Sequence, residues 1–292
     1  MKKIVLTALC GIVLASCQTA DIGPVVSNAE ESGIVSKDGK KFVFTVKGDF
    51  GAAAFTRGYL QADGKEMTDL WVYDYVDGQL VQKLHQTPTD ENWGKPEMIL
   101  PYGQHHVYFV ASRGTEPSVN ETDHIISWGS VRDTFWKDYE VSVVSTSNGN
   151  RAVTLDRVVT KLRLTVNDEV PAACSQLSVT PSVWYYGLDY VTGSAVSAQS
   201  QEMAVDIPSS YVGTSGQLMA SFFSISASDE WTANVSVKAK NSDGGVLGSV
   251  NILGAPFKAN RATEYSGNLF GSGGSLNIHI NEDWEEPVEV TW

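Results

Sequence analysis

Trp231-Thr232-Ala233-Asn234-Val235-Ser236-Val237-Lys238-Ala239-Lys240 alternates strictly. Trp231, Ala233, Val235, Val237 and Ala239 fall on one face, with Thr232, Asn234, Ser236, Lys238 and Lys240 on the other. Successive side chains of an extended chain point to opposite sides, so this is the pattern of a strand with one face buried and one in water. Downstream, Leu276, Ile278 and Ile280 alternate with Ser275, Asn277, His279 and Asn281 after the turn-forming Gly271-Ser272-Gly273-Gly274, again predicting a strand with one dry face. Upstream, Phe42, Phe44 and Val46 alternate with Val43, Thr45 and Lys47. Leu70-Trp71-Val72-Tyr73-Asp74-Tyr75 leads through Asp77-Gly78 into Gln79-Leu80-Val81-Gln82-Lys83-Leu84. Asp-Gly accepts the positive φ values of a tight hairpin turn, which predicts two paired strands there. Only Ser127 to Trp136 offers room for a short helix or turn, with Ser127 or Ser130 as its N-cap. The fold class is therefore all-β, with the turn spacing of a sandwich or barrel.

Arg151 to Val166 carries the information on domain organisation. Val153 and Leu155 place apolar side chains on odd positions, whereas Leu162, Leu164 and Val166 place them on even ones. A one-residue change of phase turns the buried face around. Either a bulge lies near Arg157-Val158, or the chain leaves one core there and enters another. The polar run Ser145-Thr146-Ser147-Asn148-Gly149-Asn150 just before it favours the second reading and a boundary near residue 150. Two β-sandwich domains, 37–150 and 151–292, are expected.

The 292 residues include 34 acidic and 21 basic side chains, a formal charge of −13. Binding to a phosphate backbone depends on lysine and arginine neutralising it, so nucleic acid is not an expected partner. With 42% hydrophobic and 10% aromatic residues the chain has ample material for a core. At the N-terminus, Lys2-Lys3 followed by apolar Ile4 to Val13 has the layout of a signal peptide and is too short to span a bilayer. Leu14-Ala15-Ser16-Cys17 resembles a bacterial lipobox, which implies cleavage after residue 16 and lipidation of Cys17. Several acyl chains on one residue suffice for stable anchoring, since each buried CH₂ contributes about 0.8 kcal/mol. Removing residues 1–16 takes away Lys2 and Lys3 and no acid, moving the charge from −13 to −15. Residues 17–36 are small, polar and acidic, as expected of a flexible tether. With Cys10 in the signal and Cys17 lipidated, Cys174 has no partner for a disulfide and is expected to be an inert thiol.

Motifs for catalysis are sparse. His105 and His106 are adjacent in an apparent strand and point to opposite faces, and His279 falls on a polar face, so no metal site is expected. Gly271-Ser272-Gly273-Gly274 precedes a strand and not a helix, which suits a turn and not a phosphate cradle. Glu282, Asp283, Glu285 and Glu286 around Trp284 form an acidic tail rather than paired catalytic carboxylates. No enzyme activity and no cofactor are expected, a hydrolase on a β scaffold being the least supported reading. Trp184 and Tyr186 share a strand face and offer either core or a stacking platform for sugars, the latter implying a surface glycan-binding lipoprotein.

The order of segments resembles the fimbrillin superfamily of Bacteroidales pili, in particular its anchor-type lipoprotein subunits. The resemblance rests on the lipobox and tether, the strand Phe42-Val43-Phe44-Thr45-Val46, and Thr68-Asp69-Leu70-Trp71-Val72-Tyr73-Asp74. It continues in Leu155-Asp156-Arg157-Val158-Val159-Thr160-Lys161-Leu162, in Asn260 to Phe270, and in a closing strand ending Asp283-Trp284. Membership would imply two transthyretin-like β-sandwich domains in tandem and the type V pilus pathway. Subunits of that pathway reach the outer membrane as lipoproteins, and polymerising ones are cut after an arginine that follows the first strand. A donor strand from the next subunit then fills the groove, so the partners implied are other fimbrial subunits, the membrane through the Cys17 lipid, and a host or bacterial surface ligand. Arg57, in Ala54-Phe55-Thr56-Arg57-Gly58, matches the processing position by order and spacing, an ordinary loop arginine being the other reading. Cleavage there would suit a stalk or tip subunit, and an intact chain an anchor. The short Val288-Glu289-Val290-Thr291-Trp292 after Pro287 favours an anchor or tip.

Overall fold

The alternating stretches fold as strands. A computed structural model describes residues 38–48, 61–62, 65–226, 230–271 and 274–281. In chain order the strands are β1 (Gly39–Gly48), β2 (Gln61–Ala62), β3 (Lys65–Glu66), β4 (Asp69–Val76), β5 (Gln79–Gln86), β6 (Glu97–Pro101) and β7 (Gly103–Ser112). They continue with β8 (Thr115–Asn120), β9 (Ile125–Ser130), β10 (Thr134–Val143), β11 (Asn150–Arg157), β12 (Val159–Val166), β13 (Gln176–Pro181) and β14 (Trp184–Asp189). The remainder are β15 (Ser194–Gln199), β16 (Met203–Asp206), β17 (Gln217–Ile225), β18 (Trp231–Lys240), β19 (Val246–Phe257), β20 (Ala262–Asn268) and β21 (Ser275–Asn281). A single 3-10 turn, Ser209–Tyr211, is the one helical element among the described residues.

Seven strands in the order β5-β4-β7-β10-β11-β1-β6 form the first sheet. It folds over on itself at β11, whose Asn150–Leu155 segment pairs with β1 while Asp156 and Arg157 pair with β10. The two layers enclose Phe42, Phe44, Val46, Leu70, Val72, Val107, Phe109, Phe135, Val153 and Leu155. The Asp77-Gly78 turn has φ values of 49° and 73°, as a tight hairpin requires, and joins β4 to β5 in the expected pairing.

β4 is buried on both faces, which is why Leu70 to Tyr75 is a nearly continuous apolar run. Its second face, Trp71, Tyr73 and Tyr75, packs on a four-stranded sheet of order β15-β14-β9-β8. Trp71 meets Trp128 edge-on at 6.4 Å, and Tyr73 stacks on Tyr190 at 4.1 Å. Two further four-stranded sheets, β17-β12-β20-β21 and β16-β13-β18-β19, contribute to the same continuous cluster through Leu162, Leu164, Leu177, Val179, Val235 and Val237.

The change of phase after Leu155 marks a change of sheet. Val158 separates β11 in the first sheet from β12 in another. The pairing around β12 then repeats that around β1. β1 lies between antiparallel β6 and parallel β11. β12 lies between antiparallel β17 and parallel β20.

Two expectations need correction. Ser127 to Trp136 contains no helix: Ser127–Ser130 belong to β9 and Thr134–Trp136 to β10, because Ile126 and Trp128 are both directed into the core at every second position. β21 forms as expected, but Ile278 and Ile280 are exposed, at 48% and 39%, since β21 is the edge of its sheet. Among the described residues, no helix is long and apolar enough to cross a membrane.

Candidate functional site

β1 occupies the middle of one layer of the first sheet, and both of its backbone edges are used. Val43 to Gly48 pair in parallel with Asn150 to Leu155, and Gly39 to Val43 pair antiparallel with Glu97 to Pro101. Beyond that ladder, Phe44 N–H donates to the Pro96 carbonyl and Val46 N–H to the Gly94 carbonyl, each at 3.0 Å. Gly149 lets the chain approach closely, because a Cβ at that position would lie 2.0 Å from the Lys41 carbonyl oxygen. On the inner face Phe42, Phe44 and Val46 are completely buried. The Phe44 ring contacts Phe42 at 5.9 Å, Phe109 at 5.2 Å and Tyr139 at 5.9 Å. A sheet without β1 would therefore expose two unpaired strand edges, β11 and β6, over a groove with apolar pockets for alternate side chains. Arg57 follows β1 in the chain; it and Cys17 lie outside the described residues.

Trp184 and Tyr186 do share a face, but it is an interior one. Trp184 is fully buried, its indole N–H donates to the Phe223 carbonyl at 2.9 Å, and Trp231 and Phe257 meet it edge-on. It has no open ring face on which a sugar could stack. Both residues border a cleft of about 650 Å³ between the end of β9, β14, the segment 201–208 containing β16, and β17. β16 and β17 are edge strands of their sheets, so the cleft lies where two sheets end against a third. Cys174 is buried, and burial pushes its thiol up from the ordinary value, in keeping with an inert side chain.

The strand register also assembles polar groups that are far apart in sequence. His106 pairs with Glu140 across β7 and β10, and its Nδ1 lies 3.1 Å from both Asp138 carboxylate oxygens. The ligating atoms of His106, Asp138 and Glu140 lie within 4.8 Å of one another on an exposed face. No sequence spacing announces this group, because its members meet only through the β7–β10 pairing.

His105, on the other side of β7, is buried with an acceptor at each ring nitrogen. The Asp74 carboxylate is 2.7 Å from Nδ1 and the Pro101 carbonyl 2.8 Å from Nε2. Only the doubly protonated ring donates to both. Burial by itself lowers the pKa of this ring, but the Asp74 and Pro101 bonds outweigh it, and the net shift is upward. A histidine raised above its unfolded value of about 6.5 contributes stability that is complete below that pH and is lost as pH rises through the folded value. Urea unfolding midpoints should therefore fall as pH is raised from 6.5, and a His105→Gln chain should lack that component of the decline.

No curated protein matches the sequence. Among solved structures, a candidate adhesin from Bacteroides ovatus aligns with a TM-score of 0.52 at 13% identity, covering 86% of this chain and 94% of that one. Candidate polysaccharide-binding proteins (DUF1812) from Bacteroides thetaiotaomicron give a TM-score of 0.53 at 9% identity, covering 83% and 96%. A candidate cell adhesion protein from Bacteroides uniformis gives 0.51 at 14% identity, covering 84% and 99%. At such identities the likeness is one of fold. The model of a family of unknown function, DUF6562, matches residues 117–291, more than half of the sequence, and the chain belongs to that family.

Proposed function

We propose that this chain is a non-enzymatic, adhesive subunit of a type V fimbria, anchored at the outer membrane through a lipid on Cys17 and joined to neighbouring subunits by strand complementation. The observation that carries this reading is the position of β1. It is the first described strand, it lies between β11 and β6 with Phe42, Phe44 and Val46 fully buried, and the stretch that joins it to the later described strands contains Arg57. Scission after Arg57 would leave β1 held by backbone hydrogen bonds and three apolar side chains. These are the terms by which another extended segment of the same alternation could replace it. The repeated pairing around β1 and β12 supports two tandem β-sandwich units, 37–150 and 151–292, with the β8–β9 hairpin of the first pairing onto β14 of the second. Solved neighbours described as candidate adhesins and cell adhesion proteins support a place at the cell surface.

The mature N-terminus tests the reading. Mass spectrometry of protein from the native host is expected to find a lipidated chain beginning at Cys17, the form of an anchor. A start at Gly58 would make it a polymerising stalk or tip subunit. An unlipidated chain beginning upstream of Cys17 would overturn the anchor.

A second reading, a surface glycan-binding lipoprotein, is favoured by the cleft beside Tyr186 and by the fold shared with candidate polysaccharide-binding proteins.

A further inference from the structure

The cleft bordered by β9, β14, β16 and β17 contains an electrostatic anomaly. Arg132, just beyond the end of β9, lines it and is only partly exposed. Among the described residues its guanidinium has no hydrogen bond and no carboxylate partner, and the charged neighbour that acts on it is another cation, Arg113. Burial and, after it, the like charge of Arg113 pull the Arg132 guanidinium below its ordinary pKa. A half-desolvated cation without a counter-charge lowers stability, which makes it a candidate for pairing with a ligand's charge.

Tyr186 supplies a second, independent observation. Its hydroxyl is buried at the cleft and has no hydrogen-bond partner. Burial raises the phenol's pKa, and the exposed side chain of Gln201 stands close enough to oppose that rise without reaching hydrogen-bond geometry. A buried hydroxyl left unpaired costs about 1–3 kcal/mol, so a ligand acceptor that reached it after Gln201 swung aside would recover that loss. Around these two donors the lining is mixed. Met203 and Phe222 present apolar surface, Gln201 and Ser221 offer an amide and a hydroxyl, and two carboxylates also line the cleft: Glu202, paired with Lys240 at 2.7 Å, and Asp206, which accepts from the Gln176 side chain at 3.4 Å. At about 650 Å³ the space is in the range of small-ligand pockets.

We infer that this cleft binds a carboxylated sugar, with Arg132 taking the carboxylate, Tyr186 donating to a ring or carboxylate oxygen, and Met203 and Phe222 packing on the apolar face of the ring. Arginine forms paired, charge-assisted bonds to a carboxylate, which gives orientation as well as affinity. The mixed rim suits hydroxyl groups better than it suits a purely aliphatic acid. The site stands independently of the fimbrial reading, since nothing in it involves β1, Arg57 or Cys17.

The test is calorimetric titration of the purified full chain with trigalacturonic acid and with 3′-sialyllactose, which separate a uronic acid source from a sialic acid source, and with lactose as the neutral control. At least one acidic sugar should bind and lactose should not. Arg132→Met should weaken that binding by about a hundredfold, as expected for loss of a hydrogen-bonded charge. Tyr186→Phe should weaken it by about tenfold while leaving the thermal midpoint unchanged or higher, because it deletes a hydroxyl that bonds to nothing in the free protein. Binding of lactose equal to that of the acids, no binding of either acid, binding indifferent to both substitutions, or a lowered midpoint in the Tyr186→Phe chain would each overturn the assignment.

Discussion

Replacing Asp133 with alanine should lower the free energy of unfolding by about 3–5 kcal/mol, the range for breaking one side of a buried ion pair. Arg157 grips the Asp133 carboxylate with two bonds, Nε to Oδ1 at 2.8 Å and Nη2 to Oδ2 at 2.9 Å. The two side chains are 1% and 0% exposed. Nη1 of the same arginine donates to the Asn260 side chain at 3.2 Å, and its guanidinium lies 5.1 Å from the Phe135 ring centroid. Alanine at 133 would take away the carboxylate that both Nε and Nη2 bind, and neither the neutral Asn260 amide nor the Phe135 ring face replaces it. Asp133→Ala combined with Arg157→Met should recover part of the loss, because the double substitution removes the buried guanidinium that the carboxylate compensated. Urea unfolding of the four chains measures both effects, and a double variant less stable than either single one would contradict this account.

The location of that pair gives it more than local importance. Asp133 precedes β10, Arg157 ends β11, and Asn260 precedes β20, so one side chain ties the first sheet to the loop that opens the strand beside β12. Val158 continues the junction: its N–H donates to the Thr134 carbonyl at 3.0 Å, and its own carbonyl accepts from Ser226 N–H at 2.8 Å. This is the point at which the apolar phase changes in the sequence.

The sequence therefore discloses the crossover through Leu155 and Leu162, because the side-chain period along a strand is a local property. The inward faces of β1 and β18 and the Asp77-Gly78 turn are legible for the same reason. The partners of β1 are not. Its parallel neighbour β11 lies about a hundred positions along the chain, and nothing in Phe42 to Val46 specifies which edges it joins. Ser127 to Trp136 misled because serines and a glycine are good caps and turn formers, whereas burial of Ile126 and Trp128 decides for a strand. Trp184 and Tyr186 were recognisable as a pair on one face, but alternation does not say whether that face is core or surface. The cleft draws Arg132, Tyr186, Gln201 and Phe222 from four separate segments, and an unpartnered arginine becomes visible only when its surroundings are known.

In a chain cut after Arg57, Phe44→Ala should release the fragment that carries β1, whereas the unsubstituted fragment should stay bound. While the chain is intact, β1 is held at high effective concentration by its own linker, and the substitution should appear as a stability loss of about 3–5 kcal/mol, typical of a buried phenylalanine. Its size follows from the surroundings. Phe44 is completely buried against Phe42, Phe109 and Tyr139, and rigid strand backbones on both sides leave little scope for the cavity to collapse. After cleavage the linker no longer contributes, and the same loss becomes a drop in affinity of about two to three and a half orders of magnitude. Size-exclusion chromatography with mass spectrometry of the cleaved chains reads the difference directly. A synthetic peptide of Gly39–Gly48 should reoccupy the vacated position, and a peptide with the same composition but its apolar residues moved by one position should not, because that shift turns Phe42, Phe44 and Val46 away from the groove. Equal binding of the two peptides would mean that the position recognises extended backbone alone. Retention of the fragment by the cleaved Phe44→Ala chain would mean that the apolar face of β1 is not what holds it.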